Sequence, residues 1–122
     1  MADTAAVQAP VMNPLQHITN LDAASDFEKK HTPYIQLDKT AEGKTRVSFE
    51  VGHYFPHPNQ PDHFIQSVHV YAGDANVAQF DFTPVVAWPK GCVDLDLPAG
   101  TVVSVIEHCN LHGRWKAEAT VQ

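Results

Sequence analysis

Apolar residues recurring at every second position, turn-forming clusters between those runs, and the lack of any three-turn amphipathic helix predict an all-β chain. About seven short antiparallel strands between residues 26 and 122 correspond to an immunoglobulin-like β-sandwich. Residues 1–25, rich in Ala, Pro, Asn and Asp, read as an extended N-terminal arm with at most one helical turn. Residues 26–122 form the single folded domain, since 122 residues suit one core rather than two.

The strands follow in order. His31 in "FEKKHTP" sits in the loop before the first strand, with Pro33 stiffening the exit. "TRVSFEVG" places Val47, Phe49 and Val51 on one face and Arg46, Ser48 and Glu50 on the other. "HFIQSVHVYAG" and "VAQFDFTPVVAW" supply further strands, as does "GTVVSVIEHC". "VDLDL" alternates through Val93, Leu95 and Leu97, and "WKAEATV" through Trp115, Ala117, Ala119 and Val121. Turns are expected at "AEGK", "AGDAN", "WPKG" and "LPAG".

A formal charge of −6 argues against nucleic acid or an anionic membrane surface as partner. No apolar run approaches the roughly 18 residues of a bilayer span. The start "MADTAAVQAP" has neither the basic nor the apolar region of a signal peptide, so a cytoplasmic location is expected. Cys92 and Cys109 are too few for a disulfide framework and form no CxxC pair. Eight histidines are the compositional outlier.

Five residues fall at strand ends or in loops, where a sandwich gathers functional groups at one rim. These are His31, His57 and His63 in the "HPNQPDH" loop, and Cys109 and His112 in "CNLHGRW". Four imidazoles and a thiolate fill an equatorial plane and one axial position, leaving a sixth open. Imidazole suits iron, copper, zinc and nickel, and the thiolate adds softness. A structural zinc site would close with four ligands. An open position on a redox metal points to small-molecule chemistry.

"EKKHTP", "HPNQPDH" and "CNLHGRW", in that order, resemble the superoxide reductase family, the catalytic domain of neelaredoxin and desulfoferrodoxin, from about residue 26 to residue 122. With two cysteines, the chain is similar to the one-iron neelaredoxin type. The resemblance implies a mononuclear Fe(His)4Cys centre with His31, His57, His63 and His112 equatorial and Cys109 axial. It implies one-electron reduction of superoxide to hydrogen peroxide, with rubredoxin or a similar protein as electron donor, and a homo-oligomer, a tetramer. Lys30 matches the family lysine that attracts superoxide and orders the water used for protonation. One departure stands out. The family's glutamate two residues before the first histidine is here Lys29, with Glu28 one residue further away, so Glu28 is not expected to bind iron.

Simpler readings exist for each residue. Alone, Cys109 reads as a buried thiol, His57 and His63 as polar loop residues, and Lys29–Lys30 as a solvated basic step. Cys92 is expected to be a packed free thiol. His17, His53, His69 and His108 receive no ligand role. His108 should point away from Cys109 by alternation, and His53 is the neighbour that competes most directly with the assigned set. Two other functions fit the same strands: a non-catalytic metal-binding or electron-transfer module, and a structural domain that binds no metal.

Overall fold

A computed structural model describes residues 15–122, so residues 1–14 of the expected arm lie outside the described residues. Among the described residues seven strands follow in order: β1 (Tyr34–Lys39), β2 (Thr45–Glu50), β3 (Ile65–Ala72), β4 (Ala75–Asp81), β5 (Lys90–Leu95), β6 (Val102–Cys109) and β7 (Gly113–Thr120). They pair antiparallel in two sheets, β1-β2-β5 and β4-β3-β6-β7. The fourth strand joins the third rather than the first sheet, as the constant-type immunoglobulin layout would have it.

Alternation sets the core. Val47, Phe49 and Val51 from β2 and its exit meet Val68 and Val70 from β3 and Val103 and Val105 from β6, all buried. Phe49 and Phe80 meet edge to face at 4.9 Å across the two sheets. Each aliphatic side chain removed from water here contributes about 1.5–3 kcal/mol. On the outer faces the partners are polar, as in the Arg46–Asp94 pair between β2 and β5 at 2.7 Å.

Three local expectations change. First, His31 ends a short helix, α1 (Asp26–His31), instead of lying in a loop. The Ser25 side chain accepts from the Glu28 N–H, and the Glu28 carboxylate accepts from the Ser25 N–H. This reciprocal cap satisfies two donors that a helix start leaves free. Second, the strand read through "VAQFDFTPVVAW" stops at Asp81. Pro84 opens a turn, with Val86 N–H bonded to Pro84 O and Val85 held at φ 70. Third, Cys92 is exposed rather than packed. Val93 and Leu95 face inward on β5, so alternation turns Cys92 outward.

The arm touches the domain where it is described. Gln16 pairs in parallel with Trp115 on the edge of β7, and its side chain donates to His112 O at 3.1 Å. A 3-10 turn, Leu21–Ala23, leads into α1. The antiparallel register then brings the start of β1, the end of β2, the start of β3, the end of β6 and the start of β7 to one rim.

Candidate metal centre

At that rim five short segments converge, each fixed by its backbone. On α1, His31 is the last residue, and its Nδ1 lies 2.7 Å from Phe27 O one turn earlier. His57 follows the turn after β2, with Nδ1 at 2.6 Å from Pro58 O. Because a carbonyl can only accept, Nδ1 carries the proton in both rings and Nε2 keeps a free lone pair. Gly52 (φ 94) permits this turn: a Cβ there would come within 2.9 Å of the Trp88 ring and 3.1 Å of His57 N.

His63 stands just before β3, its N–H and C=O both bonded to Gln60. Cys109 ends β6, fully buried. Gly113, at φ 80, turns the chain from His112 into β7, as only glycine does without strain.

The imidazoles close a ring of four. Centroids lie 4.8 Å apart for His31–His57, 4.9 Å for His57–His63, 5.1 Å for His63–His112 and 5.2 Å for His112–His31. Each pair meets edge to face, with interplanar angles from 73° to 87°. One ligand atom each from His31, His57, His63 and Cys109 lies within 4.8 Å of the others. Cys109 Sγ is 3.5 Å from His57 Nε2. His112 is outside that tightest set, with its ring against His31 and His63. His53 is not part of the ring: it is exposed, stacks on Tyr34 and bonds Glu50.

The electrostatics suit a metal. Burial lowers the pKa of His31 and of His57 to about 4, against the hydrogen bonds to Phe27 and Pro58, with neighbouring histidines and Lys30 pushing the same way as burial. His63 is lowered as well, by burial, then His112 and Lys30. Neutral imidazoles are the form that ligates. The Nε2 atoms of His31 and His63 are buried without a hydrogen-bond partner, which an electrophile at the centre of the ring would resolve. Burial raises the Cys109 thiol, while the N–H groups of Leu111 and His112 point to the sulfur and oppose that rise. A cation would complete the deprotonation. The donor set, borderline nitrogen with one soft sulfur, therefore fits a transition metal.

The surrounding shell gives contacts to residues that the motifs contain but leave without a partner, and adds one that they omit, Glu107. Trp115, buried, stacks on His31 at 5.0 Å and donates Nε1–H to His112 O. Phe27 packs on His31 and His112 at 4.7 and 5.0 Å. Glu107 is fully buried two residues before Cys109, on the same face of β6. Burial holds its carboxyl well above the usual carboxylate range; the Cys109 N–H tempers this, but neither oxygen has a full hydrogen bond. The signal for Glu107 was present, a carboxyl at an inward position of an alternating strand. Lys30 is half-buried, with Nζ 6.0 Å from the Phe27 ring centre, and its charge acts on His31, His57, His63 and Cys109. Glu28 is held at the start of α1 by Ser25, at 2.9 Å from its N–H and 3.2 Å from its hydroxyl.

Known proteins are similar to this chain in sequence and in fold. A candidate superoxide reductase of Methanocaldococcus jannaschii is 30% identical over 108 residues, covering 85% of this chain and 92% of that protein. The desulfoferrodoxin of Nitratidesulfovibrio vulgaris is 32% identical over 99 residues, covering 80% of this chain and 70% of that protein. The solved superoxide reductase of Nanoarchaeum equitans superposes with a TM-score of 0.74 at 28% identity, covering 88% of this chain and 100% of that one. The desulfoferrodoxin family model matches residues 23–118, from just before α1 into β7 and across all five converging segments, and the chain belongs to that family.

Proposed function

We propose that this chain is a superoxide reductase that converts superoxide to hydrogen peroxide by one-electron reduction at a mononuclear iron. The closed ring of four imidazoles beside a buried thiol, in a chain of the desulfoferrodoxin family, carries this reading. His31, His57, His63, His112 and Cys109 would hold the iron. When bound, iron supplies the electron that superoxide takes up.

The protein's own residues do the rest. Lys30 supplies a positive charge beside the ring in a chain of net charge −6, so it draws an anion to this rim. The Leu111 and His112 N–H groups hold the sulfur in place and share its negative charge. Trp115 and Phe27 keep water from the flanks of His31 and His112. The Glu28 carboxylate, engaged by Ser25, is left to cap α1. An external one-electron protein of the rubredoxin kind restores the reduced state. Assembly as a homo-oligomer, a tetramer, and a cytoplasmic location complete the proposal. Among the described residues no helix is long and apolar enough to cross a membrane.

A pulse of superoxide on the reduced, iron-loaded protein tests the reaction. One peroxide per superoxide without oxygen is expected. Half that yield with oxygen evolved would mean dismutation, and no consumption would leave a non-catalytic metal or electron-transfer module. Lys30→Ala should slow superoxide capture about tenfold at low salt and flatten its dependence on ionic strength. Stopped-flow traces at several salt concentrations check this. An equal loss in Lys29→Ala would assign the effect to a diffuse patch instead.

A further inference from the structure

We propose that Asn110 is a positioning residue that fixes His63 against the turn carrying Cys109 and His112; this rests on the reading of His63 as a ligand. The β3–β6 ladder ends at the pair Ile65–Cys109, so His63 lies beyond the last sheet hydrogen bond. Past that point the backbone has little left to offer, because the N–H groups of Leu111 and His112 point to the Cys109 sulfur. Asn110 bridges the gap. Its Oδ1 accepts from Phe64 N–H at 2.9 Å, its Nδ2 donates to Asp62 O at 3.0 Å, and its own N–H donates to Phe64 O at 3.1 Å. The side-chain amide thus repeats, outside the sheet, the donor and acceptor of a peptide group, and it grips the chain on both sides of His63.

Gln60 holds the remaining backbone groups of His63, at 2.9 and 3.1 Å. With all of these bonds in place, one ring nitrogen of His63 lies within 4.8 Å of ligand atoms of His31, His57 and Cys109, and its Nε2 is buried without a partner. The chemistry is specific to asparagine. An aspartate keeps the acceptor but sets an oxygen against Asp62 O, and an alanine removes both bonds. Groups that orient a metal-ligating histidine typically matter 10–100-fold in metal affinity.

The test is a double-mutant cycle on ferrous protein, reading the affinity for iron in anaerobic competition with a chelator, with urea midpoints of the metal-free and iron-loaded forms alongside. Asn110→Ala should weaken iron binding by about 10–100-fold. His63→Ala should weaken it at least as much, and the double variant should lose little more than His63→Ala alone. Asn110→Asp should also weaken it, since the retained acceptor cannot offset an oxygen set against Asp62 O. Fully additive losses would overturn the proposal while leaving His63 as a ligand. A metal-free midpoint lowered as far as the iron-loaded one would also overturn it, since Asn110 would then serve the fold only. No effect of His63→Ala on iron would remove the ligand reading itself, and the proposal with it.

Discussion

Cys109→Ser is expected to abolish the visible sulfur-to-iron(III) absorption of the oxidised protein and nearly all superoxide reduction, with the fold kept. The thiol is fully buried and its sulfur sits 3.5 Å from His57 Nε2, and among the described residues it is the only thiol at the ring. Cys92, the other thiol, faces outward on β5 and is exposed. A serine hydroxyl stays protonated where a thiol can ionise, so it gives neither the charge nor the polarisable donor. The Leu111 and His112 N–H groups remain available to the smaller oxygen, which limits the stability cost to about 1–3 kcal/mol. Spectra after oxidation, stopped-flow turnover and a urea midpoint check the three parts. A full absorption band in the variant would remove Cys109 from the proposed ligand set.

The metal-free protein is expected to lose stability steeply as pH falls from about 6.5 to about 4. His31 and His57 have pKa values lowered by burial to about 4, against an ordinary value of 6.5 in the unfolded chain. Between those values the unfolded chain binds more protons than the folded one, so acid favours unfolding. The stability is fully present above about 6.5 and lost as pH falls through the folded values. Each histidine accounts for up to about 3 kcal/mol, and the lowered His63 acts in the same direction. Glu107 has the opposite sign. Its raised pKa favours the fold below the unfolded carboxylate value, and that advantage fades as pH rises. Urea midpoints of the metal-free protein at pH 7, 5.5 and 4.5 measure the net slope, and His31→Phe should flatten it. A midpoint constant over this range would mean that the rings are hydrated in the folded state.

The strands were legible because a half-buried strand must alternate. Val47, Phe49 and Val51 show the pattern and are all buried. Cys92 shows how a general tendency can mislead: cysteines tend to be buried, but the inward Val93 beside it already fixed its direction. The short helix α1 escaped because six residues are too few to display a helical period, although Ser25 and Glu28 carry the spacing of a capping box. The turn at Pro84 escaped because Val85 and Val86 have strand-like side chains, and one of them is 84% exposed. For the site, the three motifs named the segments that converge. They contain Asn110 and Trp115 without assigning either a role, because those roles come from contacts with distant segments: Asn110 with Asp62 and Phe64, Trp115 with His31.

The spread of the five proposed ligands, from position 31 to position 112, has a consequence for how the protein matures. Only Cys109 and His112 are neighbours along the chain, so an unfolded polypeptide offers iron a weak two-point grip. The other three arrive when α1, the loop before β3 and the β6–β7 hairpin reach the same rim, which needs contacts of high sequence separation. Iron capture is therefore a late step, following closure of the sandwich, and metal content reports on completed folding. A nascent chain still lacking β7 would hold all five proposed ligands in sequence without the closed sandwich that places them in a ring.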